Sequence, residues 1–417
     1  MDIMRQRVVE RFLAYVRVDT TSDEGSRHRP SSPGQMALAL HLMDELRDLG
    51  LVDISRDHRG RVFASLPSNL PEGRTAPVIG LITHMDTSPE VSGKHVTPLV
   101  HHYTGGDIQL PAGGTISVAD TPRLAEFEGD DIITSDGSTL LGADDKAGIA
   151  EVLTAIEHLV HHPDIPRGTV RVAFTTDEEI GEGTDGFDVE GFGADLAYTV
   201  DGGPLGQLEL ETFNAAEATF TITGFNLHPG YAKGRMKNAL LIAAELIALF
   251  PPGERPSTTE GRDGFFHITR VEGKVEEARV KLIVRDFDVE RFEERKWQLA
   301  VYADQLNQLH GEGTVALTVA DSYRNMREVL DEHPQATSLA ERAMREADVE
   351  PNLVPVRGGT DGARLSFMGP PTPNLFDGGH NFHSRMEFVP VKSMVKACEV
   401  LVNIVRLAID VQTETLK

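Results

Sequence analysis

The chain has 417 residues, enough for two or three domains at about 100–200 residues each and for a core that needs no staples. Its 40 Lys and Arg against 65 Asp and Glu leave a net charge of −25. That balance repels phosphate backbones and anionic lipid, and so argues against nucleic-acid or membrane binding. A single cysteine excludes an internal disulfide framework and a Cys-based zinc site.

The N-terminal stretch MDIMRQRVVERFLAYV carries charges at helical spacing and no uninterrupted apolar core or cleavage site, so it reads as an amphipathic helix rather than a signal peptide. VIGLITHMDT, Val78 to Thr87, opens with the continuous apolar run of a strand covered on both faces. After GADDK, the residues Ile149, Val152, Leu153, Ile156, Leu159 and Val160 mark one helical face. TVRVAFTTDEE (169–179) and ADLAYTVDGG (194–203) read as further strands, each ending in acids. Strands alternating with helices predict an α/β domain with a mostly parallel sheet and helices on both faces. Functional groups collect at the carboxyl ends of such strands, where His84, Asp86, Glu178, Glu179 and Asp201 fall. Ser88 to Gly137, rich in Gly pairs, reads as hairpins near the sheet edge.

From Glu211 the pattern changes. Ala218, Phe220 and Ile222 alternate as a strand, and Asn238 to Phe250 is an apolar helix. Gly264 to Val271 and Ala278 to Asp286 are strands joined by a tight turn. Val289 to Leu309 is a charged amphipathic helix with Trp297 as its expected anchor, and Thr314 to Ala320 is a last strand. The order βαββαβ predicts an inserted ferredoxin-like α+β domain. After Ser322 come a helix, a Gly-rich loop from Arg357 to Gly362 and a closing helix from Val391 that contains Cys398, expected to be a buried core thiol. This last stretch has no self-contained core and is expected to complete the first domain. The boundaries are then 1–210, 211–322 and 323–417. The longest apolar stretch, Ala239 to Phe250, carries Glu245 and is too short to span a bilayer, so a cytoplasmic protein is expected.

Chemistry gathers at a few strand ends. His84 and Asp86, two residues apart on a strand, share a face, and an acid near a histidine can fix its tautomer. Asp144 and Asp145 precede a helix, where acids also serve as plain capping residues. Adjacent acids Glu178 and Glu179 at a strand end are expected to point in opposite directions, one binding metal and the other free to accept a proton. Asp201 precedes a Gly pair, and His383 lies on a Gly-rich loop with His380 as a competitor. Two imidazoles (His84, His383) and three carboxylates (Asp144, Glu179, Asp201) give three protein ligands to each of two cations if Asp144 bridges them, with a coordination position left open on each. Such pairs, ~3.5–4 Å apart, drive hydrolysis.

At these residues the chain resembles the tripeptide aminopeptidases of the aminoacylase/carboxypeptidase superfamily of two-zinc hydrolases. The likeness is carried by HMDT (84–87), LLGADDKAG (140–148), TTDEEIG (175–181), YTVDGG (198–203), NLHPGYAKG (226–234), RGGTDGARLSFMG (357–369) and GGHNFHSRMEF (378–388). RDFD (285–288) and DSYRNMRE (321–328) fit the same group, so it runs in order along nearly the whole chain. The resemblance implies one zinc on His84, Asp144 and Asp201 and another on Asp144, Glu179 and His383; imidazole and carboxylate donors also accept manganese or cobalt. Glu178 is then the general base, Asp86 the acid behind His84, and His228 a histidine that reaches a partner subunit's site in a homodimer formed through the lid. The zinc domain is implied to be built from both chain ends, with the ferredoxin-like unit as lid.

The expected reaction is removal of the N-terminal residue from short peptides, mainly tripeptides. The far carboxylate of such a substrate needs a cation, for which Arg285, Arg357 and Lys233 are candidates. A dipeptidase, a carboxypeptidase or an N-acyl amino acid deacylase would share the metal ligands and differ only in the substrate end recognised. A non-catalytic peptide-binding protein on the same fold is the remaining alternative.

Overall fold

The apolar runs IGLITH and VRVAFT form adjacent parallel strands, Ile79–His84 and Val170–Thr175, with His84 opposite Thr175. Every residue of Ile79–His84 is buried, as a strand covered on both faces must be. In the computed structural model, which describes residues 3–411, Leu196–Gly202 and Asn374–Phe376 extend this parallel centre on the other side. The eight-stranded sheet runs in the order 52–56, 62–66, 170–175, 79–84, 196–202, 374–376, 207–212, 352–356. Val52–Arg56, Val62–Leu66 and Gln207–Thr212 join antiparallel, so the sheet is mixed around a parallel centre.

Helix Ala143–His161 lies against this centre with Ile149, Val152, Leu153, Ile156 and Leu159 fully buried. Gly148 makes the approach possible, because a Cβ there would run into the Val200 carbonyl. The closing helix Val391–Leu407 buries Cys398 in the same core. Helix Ile3–Tyr15 adds Val8, Phe12 and Tyr15; Met1 and Asp2 of the expected helix lie outside the described residues. Between 88 and 137 the chain forms short strands, two of which (Leu99–His102 and Asp131–Thr134) build a three-stranded sheet with Phe388–Pro390.

One expectation fails here. The strand after Thr169 stops at Thr175, Asp177 turns left-handed at φ 60°, and Glu178–Ile180 forms a single 3-10 turn. Glu178 and Glu179 therefore sit on a tight turn beyond the strand, and no strand alternation separates them. Hydrogen bonds from both of their backbone N–H groups to Asp86 pull the chain out of the sheet.

The chain divides into two compact units: the first holds the chain to Leu210, Glu328–Val354 and everything from Thr360, and the second holds Glu211–Arg327 with Pro355–Gly359. The second unit is an antiparallel sheet in the order 265–274, 277–286, 214–223, 315–323. With helices Ala239–Leu249 and Val289–His310 it has the βαββαβ connection. Its core includes Phe220, Ile222, Leu246, Val280, Leu282 and Leu299. Two details depart from the sequence reading. Trp297 is 70% exposed, while Phe292 takes the anchoring part at 3%. The unit also runs past Ser322, because Asn325 exchanges hydrogen bonds with Thr212, Asn214 and Phe287. Among the described residues no helix is long and apolar enough to cross a membrane.

Candidate metal centre

The ends of three parallel strands bring the predicted groups together. His84 closes its strand and is 2% exposed. Its Nδ1 lies 3.1 Å from the Asp86 carbonyl and 3.4 Å from Asp86 Oδ1. With Nδ1 occupied there, Nε2 is the ring atom that faces the cluster, 2.8 Å from Asp144 Oδ1 and 3.2 Å from Asp201 Oδ1. On the far side of Asp144, His383 Nε2 lies 3.1 Å from Asp144 Oδ2 and 3.1 Å from Glu179 Oε2. Asp144 thus stands between two histidines, one beside Asp201 and the other beside Glu179.

The neighbouring candidates separate from this set by what they touch. Asp145 is buried, and its carboxylate accepts the backbone N–H of His84 at 3.0 Å and of Gly148 at 3.2 Å. Its oxygens come within ligand range of His84 and Asp201, but they are engaged in holding the strand end to the helix. His380 is stacked on Phe388 with ring centroids 4.6 Å apart, and burial drives its pKa down to about 3. It is a neutral core histidine, away from the acids.

The turn that carries the two glutamates is held from behind. Asp86 accepts the N–H of Glu178 at 3.0 Å and of Glu179 at 3.1 Å, one on each oxygen, which adds a second contact to its place behind His84. Asp177 accepts the Ser31 N–H and Gln35 Nε2, while Gln35 Oε1 accepts the Asp177 N–H. The Glu178 carboxylate accepts no hydrogen bond from the described residues. Burial, then the charge of Asp201, raises it well above the usual carboxyl range.

The donor set fits divalent cations. Three carboxylates and two imidazoles converge, and Glu179 Oε1 is buried with no hydrogen-bond partner among the described residues. Burial lifts Glu179 to about 8 and Asp201 to about 6, so acids this close cannot all ionise without compensating positive charge. The compensation inside the protein comes from the histidines. Hydrogen bonds to Asp144 and Glu179 push His383 up to about 11. Burial works against ionisation of Asp144, yet hydrogen bonds from His383 and His84 hold it below the usual range. Metal ions in the place of those protons would supply the missing positive charge.

Some groups on this surface were not legible from the sequence. The Glu387 carboxylate accepts four successive backbone N–H groups, from Leu141, Gly142, Ala143 and Asp144, at 2.7–3.2 Å. Asp361 is buried and accepts Thr175 Oγ1 at 2.7 Å. Neither acid is set apart by its local sequence pattern, since each partner lies far away in the chain.

In the second unit His228 is exposed, and its Nδ1 accepts the Gly230 N–H at 3.2 Å. Lys233 is exposed on the same loop. Arg285 Nη1 donates to the Ala216 and Val284 carbonyls, and its guanidinium lies 5.3 Å from the Tyr323 ring. Arg357 spends Nη1 on the carbonyls of Gly261 and Asp263 and Nη2 on Thr259, with its guanidinium over Phe213 and Phe265. Those contacts give Arg357 a structural task of its own, tying the 259–263 loop.

A mixed sheet whose parallel strands end beside clustered imidazoles and carboxylates defines a candidate metal centre. The chain belongs to the peptidase family M20/M25/M40, whose profile matches residues 136–407. It is 53% identical to a peptidase T of Halothermothrix orenii over 404 residues, covering 96% of this chain and 98% of that one. A peptidase T of Clostridium perfringens is 51% identical over 403 residues, covering 96% and 99%. Among solved structures, the aminopeptidase PepT of Bacillus cereus superimposes with a TM-score of 0.75 at 25% identity, covering 97% of this chain and 98% of that one. A dinuclear metal-binding M20 peptidase of Bacillus subtilis shares the fold at a TM-score of 0.67 and 13% identity, covering 98% and 99%.

Proposed function

We propose that this chain is a metallo-aminopeptidase that removes the N-terminal residue from tripeptides. The observation that carries the reading is the row His84, Asp201, Asp144, His383, Glu179, in which one central carboxylate lies within 3.1 Å of both imidazoles. Relatives about half identical over nearly the full length are peptidases T, and the fold is that of a dinuclear metal-binding peptidase. His84, Asp144 and Asp201 would hold one cation and Asp144, Glu179 and His383 the other. We assign zinc on the strength of two imidazoles among the donors, with manganese or cobalt as competitors.

When bound, such a pair supplies a water of lowered pKa and polarises the scissile carbonyl. Glu178 accepts the proton of the attacking water on its unengaged carboxylate and passes it to the leaving amine. Asp86 holds the Glu178 turn through two backbone bonds and orients the His84 ring, so it acts by positioning. His228, contributed from a partner's lid in a homodimer, would donate to the developing oxyanion. Exposed Leu240, Leu241 and Leu309 on the lid helices offer apolar surface for that association. Lys233 and Arg285 are the better candidates for the substrate carboxylate, since Arg285 commits only Nη1 to carbonyls whereas Arg357 commits both Nη1 and Nη2 to its own loop. We place the enzyme in the cytoplasm, where proteolysis supplies short peptides.

A panel of one tripeptide with its amine acetylated, its carboxylate amidated or both ends free tests the end recognised. Acetylation should abolish turnover, while amidation should raise KM and leave product identity unchanged. Arg285→Ala should raise KM for the free tripeptide much more than for the amide. Hydrolysis of the acetylated peptide at its C-terminal bond would make the enzyme a carboxypeptidase instead.

A further inference from the structure

We propose that Glu387 is a positioning residue for the metal centre. Its carboxylate clamps the backbone of residues 141–144 and so sets where the Asp144 side chain stands between the two halves of the site. The inference rests on the reading of Asp144 as the shared ligand.

A helix start leaves its first N–H groups without intrahelical partners, and a local side chain usually accepts one of them. Helix Ala143–His161 lacks that device. Its N-cap is Gly142, in the left-handed region at φ 84° and with no side chain to offer. The acceptor comes instead from 246 residues away: Glu387 Oε2 takes the N–H of Leu141 and of Gly142 at 2.8 Å, and Oε1 takes Ala143 at 2.7 Å and Asp144 at 3.2 Å. The side chain is 1% exposed. Successive N–H groups converging on one carboxylate form an anion nest.

Regular helix geometry does not fix Asp144. Asp144 and Asp145 have non-helical backbone angles, φ −76° with ψ 105° and φ −120° with ψ 35°, and a 3.3 Å bond from the Lys146 N–H to the Gly142 carbonyl spans them, so the first turn is not a regular helical one. Asp145 faces the other way, onto the backbone of His84 and Gly148. The remaining partners of the Asp144 carboxylate are His84 and His383, which the same metals would occupy. The clamp is therefore a contact to the Asp144 backbone that does not depend on the site being filled. It also lies four residues after His383, so one loop delivers a ligand and fixes the backbone of its neighbour.

Glutamine at this position offers one acceptor oxygen and turns an amide against the remaining N–H groups, leaving buried donors unpaired. The test titrates apo-protein with zinc against a competing chelator and follows kcat and KM on a free tripeptide in parallel. For Glu387→Gln we expect the second equivalent of zinc to bind about 10–100-fold more weakly, with kcat reduced and KM within about threefold, the range of losses typical for partners of metal ligands. Val405→Ala, which truncates a core side chain 1% exposed in the closing helix, should bind both equivalents normally and so separates positioning from general loosening. Wild-type affinities for both equivalents in Glu387→Gln would overturn the proposal. If that variant does not fold, Glu387→Asp carries the same comparison, since one methylene less pulls the charge back from the four N–H groups. Normal binding of both equivalents by Glu387→Asp would again overturn the proposal. A wild-type chain that takes fewer than two equivalents would instead bring down the reading of the site, and the clamp with it.

Discussion

Replacing Glu178 by Ala is expected to cut kcat by about a hundred- to ten-thousand-fold, the usual worth of a positioned general base. The purified variant should still carry its full metal content. The separation of the two effects follows from geometry. Glu178 and Glu179 share one turn, yet only Glu179 lies within 3.1 Å of His383, whereas the Glu178 carboxylate accepts no hydrogen bond from the described residues. Truncating it removes no ligand and leaves the two N–H bonds to Asp86 in place. The drop should appear in kcat and kcat/KM alike, since the proton is in flight only in the transition state. A variant with near-normal kcat would move the base elsewhere, and one that loses metal would make Glu178 a ligand.

Asp144→Ala is expected to have the larger effect. This carboxylate touches both histidines, so its loss empties the middle of the cluster and leaves Asp201 with His84 on one side and Glu179 with His383 on the other. Two donors apiece are too few for a tight site. Metal analysis should find at most one equivalent, and hydrolysis should fall to background. The same substitution at Asp145 should behave differently: its carboxylate secures backbone, so the expected loss is in folding stability before metal binding. Full zinc content in Asp144→Ala together with loss of one equivalent in Asp145→Ala would exchange their roles.

Much of this site was legible because strand ends repeat a simple pattern. Continuous apolar runs ending in His84, in Thr175 and before Asp201 declare buried parallel strands, and parallel strands deliver their ends to one edge. The ferredoxin-like unit was legible for a related reason, since its alternation and its helix faces are local. What remained hidden depends on partners remote in sequence. No local rule says that Asp86 accepts the backbone of Glu178, that Gln35 and Asp177 exchange hydrogen bonds, or that Glu387 caps a helix that starts 244 residues earlier. Glu178 and Glu179 were expected to alternate along a strand, but the bonds to Asp86 draw them into a turn. Trp297 was expected to anchor its helix because of its size, but Phe292 faces the sheet and Trp297 faces solvent. Arg357 drew attention as a cation on a Gly-rich loop, and its three bonds to residues 259–263 became visible only with the fold.

The most direct measurement is anomalous diffraction at the zinc edge from crystals grown with the metal. Two peaks ~3.5–4 Å apart are predicted, one against His84 and Asp201 and one against His383 and Glu179, with the Asp144 carboxylate reaching both. A single peak, or ions bound away from Asp144, would contradict the account.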